Sequence, residues 1–240
     1  MPARVLKPKE DPVSGKEIIQ SYVELRPLAV DKYNQLHKAL DLFESWDAQS
    51  KIGFLSQFMD LADILESNCS DIVAQFCRLK WITVPSVIRQ NFVDFLASLA
   101  ILHTSHVESI LKSVTSHFIP ELKMDSATKE MRLSLSSGDQ EEIYQLAHRC
   151  VEHIISCCPR YTSSLNKCCA LNFPHFRHHT LKIMGYIRNL IVLGEQFPSF
   201  GQDLWSLIID HMVHLDTASF GKASFDSEQI FQSVGFCCFF

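Results

Sequence analysis

The segment "IYQLAHRCVEHII" (Ile143–Ile155) decides which fold the sequence predicts. Its apolar residues recur three and four positions apart, which places them on one face of an α-helix: Ile143, Leu146, Ala147, Cys150, Val151, Ile154 and Ile155. Two further stripes follow the same rule: Leu204, Leu207, Ile208, His211, Met212 and Leu215, and the narrower Val107, Ile110, Leu111, Val114 and Phe118. Repeated amphipathic stripes predict an all-α protein.

Proline and capping residues indicate where the helices begin and end. Pro85 opens a helix, and Pro120 and Pro159 each end one. Two pairs have the spacing of capping boxes: Asp139 with Glu142, and Ser199 with Gln202. The predicted helices are 16–24, 31–47, 50–66, 69–79, 85–102, 105–118, 139–157, 161–172, 178–196 and 200–215, and no segment is predicted as a strand.

Short connections and a regular spacing of helix pairs predict how the helices are arranged. Connections of mostly two to six residues favour antiparallel packing of consecutive helices, and helix pairs recur about every 40 residues. We therefore predict a HEAT/armadillo-like α-solenoid of antiparallel helix pairs over 16–216. A flexible N-terminus over 1–15 precedes it, and a divergent, disordered tail without a helical stripe follows over 217–240.

Composition and charge exclude several classes of protein. The 240 residues carry a formal net charge of −5, whereas a domain that binds bare nucleic acid usually has a basic excess. The longest apolar runs, such as Phe95–Leu102, are too short to cross a bilayer. Nine cysteines without a signal peptide indicate reduced thiols inside the cell. We therefore expect no membrane insertion and no sequence-specific DNA binding.

The stretch Cys157–His179 holds four cysteines and three histidines and is the one candidate for a metal centre. Its cysteines occur as adjacent pairs, which point about 100° apart on a helix and cannot easily share one ion. His175, His178 and His179 are expected at a helix start in solvent. His211 and His214 lack the carboxylate pattern of a metalloprotease. We predict no metal, no cofactor and no catalytic site, because nucleophile and nucleotide-binding motifs are also missing from the sequence.

One polar connection, at 121–140, is long for a helical array and carries four serines. Phosphate on such a loop adds about −2 charge and strong hydrogen-bond acceptors. The loop is therefore either a plain surface connection or a contact that phosphorylation controls. Its candidate phosphosites are Ser126, Ser134, Ser136 and Ser137.

Three segments together resemble one family. They are Leu79–Pro120, with a tryptophan before a helix pair that closes on "SHFIP", then "AHRCVEHIISCCP" (Ala147–Pro159), and then Asn172–Asp216, with "FP", "YIRNLI" and "HLD" in that order. The succession is similar to that of the RNA polymerase I-specific transcription initiation factors. The resemblance implies a HEAT-repeat protein of the nucleus and nucleolus, with some in the cytoplasm. It implies that the protein binds RNA polymerase I, bridges it to the promoter-bound core factor and has no catalytic activity.

The chain departs from the family pattern in three respects, of which one is that the loop after Pro120 is mixed in charge here and acidic in many members. Where animal members of the family have a regulatory Ser-Thr pair after a proline, this chain has Arg160 and Tyr161 after Pro159. Thr162, Ser163 and Ser164 follow slightly later and are its nearest candidate phosphosites. The resemblance also stops near 216 whereas family members continue, which suggests a truncated form with an uncovered helix face and a possible homodimer. The alternative function is a generic HEAT-repeat adaptor, such as a nuclear transport or scaffold protein.

Overall fold

The computed structural model describes residues 15–26, 29–126 and 128–220, and this part of the chain is mainly helical. The predicted all-α fold is confirmed, and each predicted helix has a counterpart. The helices are α1 (Gly15–Val23), α2 (Ala29–Asp41), α3 (Ala48–Ser56), α4 (Ser70–Arg78), α5 (Ser86–Leu102), α6 (Val107–Ser116), α7 (Ser137–Cys157), α8 (Thr162–Asn172), α9 (Thr180–Gln196) and α10 (Pro198–Phe220).

The polar connection contains a β-hairpin, so the prediction that no segment forms a strand was wrong. Strands β1 (Leu122–Met124) and β2 (Met131–Leu133) pair antiparallel, with Leu122 opposite Leu133. The turn is closed by the Asp125 N–H, which donates to the Glu130 carbonyl at 2.8 Å. Lys129 completes it with a φ of 56°. The connection therefore holds two paired strands, and α7 begins within its last residues.

Two predicted helices are too long at their C-terminal ends. The helix expected over 31–47 ends at Asp41 and is followed by a 3-10 turn at Phe43–Ser45. The helix expected over 50–66 ends at Ser56, because the chain continues in tight turns such as Leu61 N–H to Phe58 carbonyl at 2.9 Å. Leu61 and Leu65 are nevertheless buried, and they lie four positions apart, which is also the spacing of residues on one face of a helix.

Both predicted capping boxes were misplaced. Helix α7 begins at Ser137, and its cap is Ser136, whose Oγ accepts from the Asp139 N–H at 3.1 Å. Helix α10 begins at Pro198, so Ser199 lies inside the helix. Proline suits the first helical position because its missing N–H would have had no partner there. Helix α10 also extends to Phe220, four residues beyond the predicted end of the repeats at 216, while 221–240 and 1–14 lie outside the described residues.

The chain divides into two compact units. Unit 1 holds the described residues up to His117 together with Leu135–Cys168, and unit 2 holds Phe118–Ser134 and the described residues from Cys169 onward.

Alternate helices stack on each other in unit 1. Gln75 of α4 donates to Asp41 of α2 at 3.1 Å, and Ser113 of α6 donates to the Cys77 carbonyl of α4 at 2.6 Å. The same layer continues to α8, where the Cys168 thiol lies 3.6 Å from the Glu108 carbonyl of α6. Such stacking of every second helix is the arrangement of a helical repeat array.

Helices α5 and α7 form the other layer of unit 1. Arg89 near the start of α5 pairs with Glu142 near the start of α7 at 2.8 Å. Farther along both helices, Asp94 pairs with Arg149 at 3.4 Å. The two helices therefore run parallel, as second neighbours do when consecutive helices are antiparallel. All seven residues of the Ile143–Ile155 stripe are buried, as predicted.

Unit 2 is built around the pair α9 and α10. The helices approach closely where both carry glycine, so that a Cβ added to Gly201 would lie 3.1 Å from the Gly194 carbonyl oxygen. Asn189 of α9 donates to the Phe118 carbonyl at 3.1 Å, and Tyr186 donates to the Cys169 carbonyl at 2.8 Å. One member of the predicted α10 stripe is wrongly placed, because Met212 is 47% exposed.

Candidate regulatory site

Thr162, Ser163 and Ser164 form the first turn of α8. The 3-10 turn Pro159–Tyr161 leads directly into this helix, and the Thr162 hydroxyl donates to the Pro159 carbonyl at 2.7 Å. Ser163 is exposed, whereas Thr162 and Ser164 are half-buried. Ser163 is thus the most accessible hydroxyl of the three.

The electrostatics of this turn suit an added phosphate. A helix N-terminus carries partial positive charge, and the first turn of α8 has no acidic residue to oppose an anion. Arg160 lies just before the turn, where its guanidinium donates to the Tyr161 hydroxyl at 3.0 Å and sits 5.0 Å from the ring centre. Tyr161 is buried, so it anchors this arginine beside the helix start. Neither residue shows a role in the sequence beyond its departure from the family pattern, because their contact depends on the turn before α8.

Ser136 and Ser137 occupy a different environment at the start of α7. The Ser136 hydroxyl donates to the Asp139 carboxylate at 2.7 Å and also accepts from the Asp139 N–H. Phosphate on Ser136 would remove the donated bond and place two like charges together. Glu141 lies close by in sequence, whereas Glu142 is already paired with Arg89, so the nearest carboxylate to an added phosphate is that of Asp139. Phosphorylation here would loosen the start of α7.

Ser126 and Ser134 belong to the hairpin of unit 2. Ser126 is exposed in its turn, next to Asp125, whose carboxylate pairs with Arg132 at 3.2 Å. Ser134 is half-buried, and its N–H donates to the Glu121 carbonyl at 2.8 Å, which extends the hairpin ladder by one bond. Ser126 is therefore accessible, whereas Ser134 lies at the end of the hairpin farthest from its turn.

The structure does not gather the candidate phosphosites of unit 1 into one cluster. Ser136 and Ser137 lie at the N-terminal end of α7, and Thr162–Ser164 follow its C-terminal end. A helix of the length of α7, Ser137–Cys157, spans about 30 Å. Within unit 1 there are two separate sites, one in an acidic setting and one beside an arginine.

The cysteines of the helical layers contribute packing. Burial raises the pKa of the Cys168 thiol to about 11 and that of the Cys69 thiol to about 11, and it also raises the pKa of Cys150. Such thiols stay protonated and are poor nucleophiles or metal ligands. Among the described residues, no three His, Cys, Asp or Glu side chains lie close enough to hold a metal ion.

The histidines considered as metal ligands have ordinary structural positions. His175 and His178 are exposed, and His179 caps α9 by accepting from the Leu181 N–H at 3.3 Å. The His211 ring stacks on Phe173 with centres 3.8 Å apart.

In the described ranges, no helix is both long and apolar enough to span a membrane.

Stacked alternate helices define an all-α helical-repeat protein with a solenoid-like fold. Accessible hydroxyls lie at its helix starts and in its hairpin turn. The model of the family "RNA polymerase I specific transcription initiation factor RRN3" matches residues 16–230. The chain therefore belongs to the RNA polymerase I-specific transcription initiation factor RRN3 family. The match continues beyond residue 216, the predicted end of the resemblance.

Individual relatives agree with this assignment. The RNA polymerase I-specific transcription initiation factor tif-1A of Caenorhabditis elegans is 29% identical over 206 residues, which cover 85% of this chain and 32% of the relative. The mouse factor RRN3 is 22% identical over 183 residues, covering 74% of this chain and 27% of the mouse protein. The chain thus spans about a third or less of these relatives.

A solved structure shows the same fold. The crystal structure of the RNA polymerase I transcription initiation factor Rrn3 superposes with a TM-score of 0.63 and 14% identity. It covers 87% of this chain, whereas this chain covers 41% of it. The solenoid-like fold predicted from helix spacing is consistent with this similarity.

Proposed function

We propose that this chain binds RNA polymerase I through its helical repeats and takes part in bridging the polymerase to the promoter-bound core factor. The family match across 16–230 carries the proposal, because it covers every described repeat. Helical repeats of this kind usually present extended surfaces to other macromolecules. We expect such a protein in the nucleus and nucleolus, with some in the cytoplasm.

Phosphorylation would regulate this contact. An acidic group on an interface changes the complementarity of charge that guides association. Ser163 and Ser126 are the two exposed candidates outside an acidic helix start, so we propose them as the sites where phosphate acts. Ser134, Ser136, Ser137, Thr162 and Ser164 remain secondary candidates.

Retention of RNA polymerase I from nuclear extract tests the proposed binding. The immobilised 240-residue chain should retain the polymerase specifically at two salt concentrations. The same extract on an unrelated helical-repeat protein gives the background. A folded chain that retains no polymerase above this background would show that the described repeats are insufficient for binding.

A charge substitution at the start of α8 tests the proposed regulation. We expect Ser163→Asp to retain less polymerase than the parent chain, because its carboxylate imitates part of the phosphate charge. Ser163→Asn has nearly the same shape without the charge and should retain as much as the parent. Equal retention by both variants, with equal helicity, would remove Ser163 from the regulatory sites.

A generic adaptor function is distinguished by the same retention experiment. Such an adaptor would capture transport receptors or their cargo and leave RNA polymerase I in the unbound fraction. Identification of the captured proteins by mass spectrometry separates the two functions directly.

A further inference from the structure

A cleft between α2 and α4 of unit 1 takes no part in the regulatory sites described above. It opens to solvent and has a volume of about 420 Å³. Its α2 wall is the stripe from Val30 to His37, and its α4 wall is the stripe from Asp71 to Arg78. In each stripe the lining residues are separated by three, one and three positions, so each is one helix face two turns long. We call this cleft the α2–α4 groove.

Hydrogen bonds hold the two walls of the groove side by side. The Gln75 amide of α4 donates to the His37 carbonyl at 3.3 Å and to the Asp41 carboxylate at 3.1 Å, both on α2. Nearer the beginning of both helices, Tyr33 of α2 lies close to Asp71 of α4. The two helices therefore run parallel, and Asp71 marks the end of the groove where they begin.

Three exposed polar side chains of the groove are left to bind a partner. Among the described residues, Asp71 and Arg78 form no ion pair, and the Asn34 side chain forms no hydrogen bond. Asp71 and Arg78 stand at opposite ends of the groove, about 10 Å apart along α4, because seven positions separate them. Asn34 lies between the ends, and its amide offers both a donor and an acceptor to a peptide backbone. The groove therefore has a negative end, a positive end and a backbone contact between them.

The remaining surface of the groove is aromatic and apolar. The Tyr22 ring, from the end of α1, stacks on the Tyr33 ring with centres 3.8 Å apart. Val30 of the same groove is 59% exposed. Grooves lined by aromatic side chains bind peptides in the polyproline II conformation, whose backbone needs no partner strand.

The distance between the two charged ends favours the same peptide conformation. In polyproline II, residues three positions apart point to the same side and lie about 9 Å apart, close to the separation of Asp71 and Arg78. On a β-strand, residues that point to one side lie about 7 or about 13 Å apart, so they fit this separation less well. Nucleic acid is disfavoured, because the Asp71 carboxylate would repel its phosphates.

We propose that the α2–α4 groove binds a proline-rich segment of another protein that carries a basic and an acidic residue three positions apart. The basic residue pairs with Asp71, the acidic residue pairs with Arg78, and Asn34 bonds to the backbone between them. This binding goes beyond the polymerase contact proposed above and does not depend on it.

Fluorescence anisotropy of labelled proline-rich peptides tests the proposal on the full chain. Each peptide carries one lysine and one glutamate that are two, three or four positions apart, in either order, because a segment can lie in the groove in both directions. The parent chain should bind the peptides with a spacing of three several-fold more tightly than those with a spacing of two or four. Asn34→Ala should weaken the binding of these peptides without changing the preferred spacing.

A change of specificity provides the sharper test, because an unfolded variant could not produce it. Arg78→Asp makes both ends of the groove acidic. It should bind the lysine–glutamate peptide several-fold more weakly than the parent, and a peptide with two lysines three positions apart several-fold more tightly. The matched control Lys38→Asp makes the same change of charge at an exposed position of α2 outside the groove, and it should keep the preference of the parent.

The proposal is supported by a preferred spacing of three together with the exchanged preference of Arg78→Asp. No binding of any peptide, equal binding at every spacing or an unchanged preference in Arg78→Asp overturns it. Tighter binding of a single-stranded RNA oligonucleotide than of every peptide, weakened in Arg78→Asp, also overturns it and assigns the groove to nucleic acid. Retention of RNA polymerase I is measured separately, so failure of either proposal leaves the other standing.

Discussion

Arg89 is a buried cation that donates hydrogen bonds to backbone carbonyls of unit 1. Its Nε donates to the Trp81 carbonyl at 2.9 Å and to the Val84 carbonyl at 3.2 Å. Its Nη1 reaches Glu142, whose side chain is 43% exposed. The arginine therefore connects the turn before α5 to α7, and most of its partners are neutral carbonyls.

Replacing Arg89 should cost far more stability than replacing its acidic partner. We expect Arg89→Met to lower the free energy of unfolding by about 2–3 kcal/mol, because buried carbonyls lose their donors. Glu142→Gln keeps those bonds and still offers an amide oxygen to Nη1, so we expect a smaller loss of about 1 kcal/mol, because the Glu142 end of the pair is partly exposed. Urea unfolding followed by circular dichroism measures both variants. Equal losses would show that the ion pair, and not the carbonyl contacts, stabilises the turn.

His117 makes the stability of unit 1 depend on pH. Its ring stacks on Trp81 with centres 4.0 Å apart, and its Nδ1 lies 2.9 Å from the Ser113 carbonyl, as a donor in the tautomer that carries this proton. Burial lowers the pKa of His117 from 6.5 to about 4. Between these values the unfolded chain binds a proton that the folded chain does not, so stability falls as pH falls from 6.5 towards 4.

The variant His117→Phe should remove this part of the pH dependence. A shift of this size corresponds to a loss of up to about 3 kcal/mol on acidification. We expect the parent chain to lose more stability than the variant between about pH 7 and pH 4.5, because phenylalanine binds no proton. Unfolding curves at several pH values measure the difference. Parallel losses in the two proteins would assign the acid sensitivity to other groups.

For single residues, the sequence predicted which side chains are buried better than it predicted which residue caps a helix. It placed the apolar stripe of α7 correctly, because burial follows the period of the helix. It assigned the cap of α7 to Asp139, whereas Ser136 caps the helix and Asp139 supplies the bonded N–H. Both residue types cap helices equally well, so the spacing alone could not separate them.

Among the elements, the pair α9 and α10 depends on a close approach at Gly194 and Gly201. A Cβ on Gly201 would lie 3.1 Å from the Gly194 carbonyl oxygen, which is backbone and cannot rotate away. Gly53 offers a matched contrast, since a Cβ there would meet no atom within 4 Å.

We expect Gly201→Val to destabilise the protein by about 1–3 kcal/mol, because the helices must separate to admit the side chain. Gly53→Ala should stabilise it by about 0.5–1 kcal/mol, because alanine is the better helix former. Thermal unfolding of the two variants beside the parent provides the test. A neutral Gly201→Val would mean that the crossing relaxes without cost.

The hairpin is an element that the alternation of apolar and polar residues could have indicated. Leu122, Lys123 and Met124 alternate apolar and polar, and so do Met131, Arg132 and Leu133. This period of two is short, and tertiary context decides whether three residues form a strand. The helix predicted over 50–66 failed for a related reason, because buried turns placed Leu61 and Leu65 at helical spacing.

For the whole molecule, the cysteines and histidines should bind no stoichiometric metal. The described residues form no ligand group, and burial keeps Cys168 and Cys69 protonated. We expect purified protein to carry less than one zinc per chain and to keep its helicity in a chelator. One zinc per chain, with helicity lost on chelation, would restore the metal-centre hypothesis.

The stacking of alternate helices also has a consequence for synthesis on the ribosome. The side-chain contacts between α2 and α4, α4 and α6, and α5 and α7 join residues 34 to 57 positions apart. Each new helix therefore finds its support in chain that has just left the exit tunnel. Unit 1 can then grow by docking one helix at a time, with little apolar surface waiting for distant residues.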